Sequence, residues 1–257
     1  MNIVVCCKFT PNTQDIETRP DGSISLDKAE WQISEYDLQA IEAGVRLSEA
    51  TGGKLIALSL GSPRIEAARL RKDLLSRGPD ELHLITDDTL GNVDTAVVST
   101  VLAETIKKIG ADLVLCGEGS ADLYFQQTGA QIGERLSWPT LNGIESIEPN
   151  GNRLKVERLL ESEIEVLDVP LPAVLTVTSS INTPPVPGMK ALLSASKKPV
   201  KVWSLSELGL DTNLTASIEV ISTSAPRTIE RKGVIIDGTT EEAVAELVRY
   251  LDSEGAL

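Results

Sequence analysis

Apolar residues in the first half of this chain fall alternately into short continuous runs and into helical spacing. Ile3 to Cys7 is an apolar run of the kind a buried parallel strand requires. Arg19-Pro20-Asp21-Gly22 reads as a turn, with Ser23 to Leu26 as a short strand after it. Ser34-Glu35-Tyr36-Asp37 resembles a capping start, and Leu38, Ile41, Val45 and Leu47 then recur at helical intervals until Gly52-Gly53 closes the helix. Strand patterns over Leu55–Leu60, Leu82–Ile85 and Leu113–Cys116 alternate with helix patterns over Pro63–Arg77, Thr95–Ile109 and Thr128–Leu136. Gly78 and Gly110 close the first two of these helices. Such an order predicts a parallel sheet with helices on both faces, and in such sheets ligands bind beyond the carboxyl ends of the strands. The loops after Cys7, Leu60 and Cys116 all belong to that edge.

After Pro139 the pattern changes. Thr140–Glu148 and Leu154–Leu160 flank Asn150-Gly151 and read as a hairpin, and Ile164–Val169 and Ala173–Thr178 add two more strands. The expected fold is therefore α/β, with a mixed, mostly parallel sheet. A Pro-rich loop, Asn182 to Met189, leads to a short helical piece over Lys190–Ser196. Beyond about Ser204 the apolar pieces are short and weak until a terminal helix over Thr240–Leu251, with Ala243, Leu247, Val248 and Leu251 on one face. This divides the chain into a domain over 1–203 and an arm over 204–257. The arm has too few apolar groups for its own core, so it packs on this domain or on a partner.

Composition narrows the function. The 257 residues carry a formal charge of −14, which argues against nucleic acid or an anionic membrane as the main partner. Lys190, Lys197, Lys198 and Lys201 form the best local basic patch. No apolar run has the length of a membrane span, and the N-terminal residues do not read as a signal peptide; a cytoplasmic location is expected. Cys6, Cys7 and Cys116 lie in apolar runs with no metal-ligand spacing, and read as buried and reduced. His83 is the only histidine and reads as structural, so a histidine-centred triad cannot be assembled.

Four places remain as candidate chemistry. The first is the loop Gly117-Glu118-Gly119-Ser120-Ala121-Asp122-Leu123-Tyr124-Phe125-Gln126-Gln127-Thr128. A strand that ends in a Gly/Ser loop before a helix N-terminus holds anionic ligands well, because backbone N–H groups and the helix dipole both favour negative charge. The loop is neither a Walker A sequence nor a GxGxxG fingerprint, and a plain βα turn is the alternative reading. Ser120 and Thr128 are candidate phosphate donors, Gln126 and Gln127 bridge to phosphate or ribose, and Asp122 either accepts from a ribose hydroxyl or caps a turn. The second place is Ser34 to Asp37, a helix cap or part of the same site. The third is Arg158, which reads either as an exposed, salt-bridged arginine or as one aimed at a flavin or phosphate at a subunit boundary. The fourth is the Pro-rich loop, with Met189 either tucked into the core or presented as a flexible apolar tip.

Several motifs together resemble the β subunit of electron transfer flavoproteins, in particular its FixA-like branch. They are Leu113-Val-Leu-Cys-Gly117 with Gln127-Thr128-Gly129; Val156-Glu-Arg158 through Glu161, Glu163 and Glu165 to Pro172-Ala-Val-Leu-Thr176; Asn182-x-Pro184 with Met189-Lys-Ala and Lys197-Lys198-Pro199; and Arg71 to Glu81. The resemblance runs from Ile3 to about Leu251. It implies a Rossmann-like, adenine-nucleotide-binding domain whose arm packs on a partner α subunit. It implies an FAD shared with that subunit, and AMP or a second FAD in this one, with NADH as well where the subunit bifurcates electrons. Nucleotide-binding positions carried over are Cys6, Ser34, Glu35, Tyr36, Asp37, Leu60 and Gly117 to Thr128. Arg158 matches a residue near the α-bound flavin, and Met189 matches the anchor that docks on dehydrogenases. The implied partners are the α subunit and an acyl-CoA-type dehydrogenase, with ferredoxin or a quinone oxidoreductase as further candidates. The sequence departs from the family at Ser34-Glu35 (usually Asn-Pro), at Asp122-Leu123-Tyr124 and at Glu161-Ser162-Glu163. The competing reading is a stand-alone adenine-nucleotide sensor of the same fold.

Overall fold

The structure is a computed structural model that describes residues 1–211, 216–226 and 231–257, with Asn92 described by its backbone alone. In chain order it contains β1 (Asn2–Cys6), β2 (Phe9–Pro11), β3 (Glu17–Thr18), β4 (Ile24–Ser25), β5 (Trp31–Ile33), α1 (Glu35–Thr51) and β6 (Lys54–Gly61). Next come α2 (Ala68–Ser76), β7 (Glu81–Thr86), α3 (Thr95–Ile109), β8 (Leu113–Gly117), α4 (Thr128–Leu136) and β9 (Thr140–Asn150). The remaining elements are β10 (Arg153–Leu159), β11 (Ile164–Pro170), β12 (Ala173–Val177), α5 (Met189–Ala195), β13 (Val200–Trp203) and α6 (Thr240–Ser253).

Among the described residues, nine strands form one sheet in the order β11-β10-β9-β12-β8-β1-β6-β7-β13. The seven from β9 to β13 in that order are mutually parallel, while β10 and β11 extend one edge as an antiparallel ribbon. The expected α/β, mostly parallel sheet with helices on both faces is thus what the chain forms. Alternate residues of each central strand serve opposite layers, as a period of two requires. Ile3 and Val5 pack with Ala40, Ile41 and Leu47 of α1 and Leu70 and Leu74 of α2. Val4 and Cys6 pack with Val101 and Ile106 of α3 and Ile132 of α4.

The chain runs from β1 to β6 and β7 on one side, then returns by α3 to place β8 on the other side of β1. The order of connection therefore reverses between β1 and β8, and a crevice opens past their carboxyl ends. Two close approaches set α4 against the sheet. A Cβ at Gly129 would lie 2.5 Å from Thr176 Oγ1, and one at Gly133 would lie 1.7 Å from Thr140 Oγ1.

Several elements differ from the sequence expectation. The helix over Pro63–Arg77 is broken into a 3-10 turn, Pro63–Glu66, and α2, with Ala67 extended at φ −53° and ψ 130°. Ile65 and Leu70 are both buried. In one continuous helix they would point ~140° apart, so the break brings both inward. The edge strand β13 and the β2–β5 ribbon have no counterpart in the sequence reading. The predicted basic patch does not exist as a free cluster. Lys198 Nζ donates to the carbonyls of Leu75, Gly78 and Pro79 at 2.7–3.1 Å, where it caps the end of α2, and Lys201 lies over the Trp203 ring at 3.3 Å.

The division at 203/204 falls inside the packed layer, because Leu205 and Leu208 are buried beside Trp203. The predicted arm, 204–257, includes 212–215 and 227–230, which lie outside the described residues. Its terminal helix forms as α6, started by a reciprocal capping box between Thr239 and Glu242, and none of its residues is buried. Val244, Leu247, Val248 and Leu251 therefore form an exposed apolar stripe. No helix among the described residues is long and apolar enough to cross a membrane.

Candidate nucleotide-binding site

Past the ends of β1, β6 and β8 lies a cleft whose empty space, including the open solvent at its mouth, is about 1000 Å³. Its walls are mostly apolar (Leu58, Leu60, Val93, Val98, Leu102), while its polar groups converge from the loop after β8 and the first turn of α4.

The loop between β8 and α4 is held by many ties. Gly117 abuts the first turn of α1, where a Cβ would lie 2.6 Å from Tyr36 O and 2.8 Å from Asp37 Oδ1. Ser34 caps α1 by position but makes no capping bond. Its hydroxyl instead accepts from Ala121 N–H at 3.2 Å. Glu118 Oε1 accepts from Ser179 N–H at 3.1 Å. The Tyr36 and Tyr124 rings meet with centroids 4.9 Å apart. Tyr124 and Gln126 take left-handed backbone, φ 49° and 58°. For residues with a side chain this costs on the order of 1–2 kcal/mol each. These contacts hold the loop in a conformation it would not choose unaided, and Leu123 and Phe125 form part of the cleft wall.

Asp37, on the cleft floor, is 6% exposed. Its Oδ2 accepts from Lys8 N–H at 2.7 Å, and its carboxyl also accepts from Gly117 N–H, so it joins the exits of β1 and β8. Burial pushes this carboxyl up to about 7, against the two N–H bonds and the Lys8 charge. Lys8 Nζ is held by Asp122 through both carboxylate oxygens, at 2.8 and 2.6 Å. Burial alone would raise Asp122, but the Lys8 ammonium outweighs it and keeps that carboxyl below its ordinary value. The Cys6 and Cys7 thiols are pushed well up, Cys6 first by its contact with Cys116 and Cys7 first by burial. Protonated, buried thiols are poor nucleophiles. All three cysteines are unbridged. His83 is far from this chemistry: it accepts from Trp203 Nε1 at 3.1 Å and pairs with Glu81 at 3.2 Å.

Among the described residues three helix N-termini flank the cleft, and their electrostatics differ. α1 carries Glu35 and Asp37 in its first turn. α3 is capped by Asp94, whose side chain accepts from Val97 N–H at 2.9 Å. α4 has no acid in its first turn, and its N-cap residue Gln127 makes no capping bond. The first N–H groups of a helix have no partner within it, so the open positive pole at this cleft is that of α4.

Of the residues expected in the site, Cys6, Asp37, Leu60, Gly117, Glu118, Gly119, Ser120, Leu123, Phe125, Gln126, Gln127 and Thr128 line the cleft. Ser34, Tyr36, Ala121, Asp122 and Tyr124 stand behind them as supports, and Glu35 is an exposed residue of the first turn of α1. Arg158 does not line the cleft. It pairs across the ribbon with Ile144, which is level with Val177 and hence with Gly117, so it sits at the same sheet edge three strands from β8. There its guanidinium donates to Asn142 Oδ1 at 2.8 Å and meets Glu165 at 3.5 Å, while its Nε is buried without a partner among the described residues. Met189 begins α5 and is 72% exposed, beside exposed Val186 and Leu193; it is a surface tip and not a core residue. Missed at the sequence level were Lys8 and the Val93-Asp94-Thr95 stretch at the start of α3. The rule that ligand loops follow strand ends applies to the β7 exit as much as to the others. Among the described residues no group of three or more His, Cys, Asp or Glu side chains is placed to hold a metal ion.

The model of the electron transfer flavoprotein domain matches residues 22–208. The match takes in α1, the loop after β8, the β9–β11 ribbon and α5, and it ends on Leu208, a buried residue of the core. With most of its length and the whole strand-end cleft except the β1 exit inside that match, the chain belongs to the electron transfer flavoprotein family.

Proposed function

We propose that this chain is the β subunit, of the FixA-like branch, of a heterodimeric electron transfer flavoprotein, working in the cytoplasm. In this reading it passes electrons between an acyl-CoA-type dehydrogenase and other carriers through an FAD shared with an α subunit, either simply or with flavin-based bifurcation. Its own cleft holds an adenine nucleotide, AMP or a second FAD. The observation that carries this is the α4 N-terminus, the one helix start of the three at the cleft without a carboxylate. A phosphate fits there, with Ser120 and Thr128 as hydroxyl donors and Gln126 and Gln127 beside it, and the apolar wall from Leu60 to Leu102 suits a planar base.

Electron acceptance and release belong to the flavin when it is bound, and the chain's task is to hold and orient. That division agrees with the protonated thiols and with the histidine committed to Trp203 and Glu81. Arg158, with an unsatisfied buried Nε and about a third of its side chain exposed, supports a contact at the flavin side of the subunit boundary. Supporting an α-subunit interface are the exposed stripe on α6 and the exposed Ile164 and Val166 on edge strand β11. The part of the arm beyond Leu208 is the segment proposed to wrap that partner. NADH enters the reading only with a second FAD, and ferredoxin or a quinone oxidoreductase serves as the other redox partner.

Extraction of the bound ligand followed by mass spectrometry tests the reading. An adenine nucleotide is expected, and one flavin per heterodimer excludes bifurcation. A colourless chain free of nucleotide and stable without a partner would overturn it in favour of another use of the fold. Replacing Gln127 and Thr128 together by Ala is expected to weaken nucleotide retention about tenfold or more, since a hydrogen bond to a charged group contributes roughly 1.5–3 kcal/mol. Equilibrium dialysis against labelled AMP measures this, and unchanged retention would remove α4 as the phosphate site.

Met189→Ala gives an independent check on the docking surface. Loss of a buried apolar anchor costs an interface about 1–2 kcal/mol, so second-order transfer with the dehydrogenase should slow several-fold with flavin content unchanged. Stopped-flow reduction reads both. Unaltered kinetics would reassign the exposed tip.

A further inference from the structure

Asp37 is a buried carboxyl in the wall of a cleft that suits an anion. The groups that face it come from every element around it. From β1 and its exit come the Cys6 and Cys7 thiols and Lys8; from β8 comes Cys116; from the following loop come Asp122 and Glu118; across the mouth, on α3, lies Asp94. The one cation in this set, Lys8, has its ammonium held by both oxygens of Asp122. The carboxyl of Asp37 is instead held by two backbone N–H groups, those of Lys8 and Gly117. A phosphate at the α4 N-terminus therefore adds negative charge to a cleft that already contains Asp37, Asp94 and Glu118, with Asp122 behind it.

We propose that Asp37 is a positioning residue that takes up a proton when an anionic nucleotide enters the cleft, so that ligand and proton bind together. The proton passes from buffer to a carboxyl oxygen of Asp37, and the other oxygen continues to accept from a strand-exit N–H group. One buried negative charge is thereby removed as another arrives, and Asp37 keeps a bond to one strand exit. The proposal rests on the nucleotide reading given above. The position of this carboxyl, already half-ionised near pH 7, makes the coupling observable at neutral pH. A nearby dianion raises it further.

Calorimetric titration of the nucleotide-stripped 257-residue chain, in the complex in which it purifies, tests this with AMP as the probe. Repeating each titration in buffers of different ionisation enthalpy counts the protons. At pH 7.5 the phosphate of AMP is already ionised, so its own titration contributes little. An uptake of about half a proton per AMP is expected there, falling toward zero by pH 9 as Asp37 becomes ionised in both states. AMP binding that remains in Asp37→Asn, weaker or not, should carry no uptake at either pH. The pH series on the unsubstituted chain decides the matter even if that variant fails to fold. Binding without proton uptake, or uptake that persists in Asp37→Asn, overturns the proposal and leaves the nucleotide reading intact. Failure of both AMP and FAD to bind at any pH overturns the nucleotide reading, and this proposal with it.

Discussion

Gly117→Ala should lower the stability of the nucleotide-free chain by about 3 kcal/mol and abolish measurable AMP retention. The added Cβ has nowhere to go. It would lie 2.6 Å from Tyr36 O, 2.7 Å from Tyr36 C and 2.8 Å from Asp37 Oδ1, so the obstacle is the backbone of α1 and a buried carboxyl. Inserting a methyl group into a packed site usually costs about 1–3 kcal/mol, and the upper value applies where the neighbour cannot turn aside. Moving α1 away would also stretch the bonds by which Asp37 joins the exits of β1 and β8. Gly119→Ala provides the comparison. The nearest atoms to its Cβ would be those of the Tyr124 ring, from 2.3 Å. That ring is a side chain packed on Tyr36 and not a backbone, so it gives way at the cost of that contact, and a loss smaller than at Gly117, about 1 kcal/mol, is expected. Chemical denaturation of the two variants separates the cases. Equal stabilities would show that the close approach of β8 to α1 does not constrain the site.

The central α/β alternation is readable from the sequence because each buried parallel strand, such as Val4 to Cys6 or Leu113 to Cys116, is apolar on both faces and so appears as a continuous run. The Asn150-Gly151 turn likewise announces its hairpin through a residue pair suited to left-handed backbone, and Gly151 takes φ 64°. β13 carries no such signal. Val-Lys-Val-Trp pairs on one side only, and its two exposed middle residues, Lys201 and Val202, resemble a loop. The break at Ala67 is invisible locally because it results from two buried side chains, Ile65 and Leu70, whose positions the sheet dictates.

The site divides in the same way. Residues in the sequence block from Gly117 to Thr128 are legible because strand, small residues and helix start follow one another directly. Lys8 and Asp94 come from separate strand exits and join the cleft only through topology. Arg158 illustrates the converse. Its strand is readable from the sequence, but only the register Arg158 to Ile144 and Val177 to Gly117 puts it three strands from the cleft. The loop's departures from the family, Leu123 and Tyr124, also acquire meaning in three dimensions. Leu123 becomes cleft wall, and Tyr124 braces against Tyr36 in a left-handed conformation.

The largest pH effect on folding should come from Asp37, and its sign is opposite to that of an ordinary paired carboxylate. Burial raises this carboxyl from 3.8 to about 7 in the folded chain. Between those values the folded state holds a proton that the unfolded state has lost, so stability declines as pH rises through this window. Asp122 and Asp94 behave in the reverse sense. Both are held below their ordinary values, and their contributions are present above about pH 4 and lost as pH falls. Taking the difference between the unsubstituted chain and Asp37→Asn cancels those shared contributions, because asparagine does not titrate. From pH 4 to pH 8 the unsubstituted chain should lose about 4 kcal/mol relative to the variant, since each tenfold gain in proton affinity on folding corresponds to about 1.4 kcal/mol. Urea denaturation of the nucleotide-free proteins across this range measures the difference directly. A difference that is flat with pH, or one that grows in favour of the unsubstituted chain, would mean that water or a cation reaches this carboxyl and that the floor of the cleft is not closed around it.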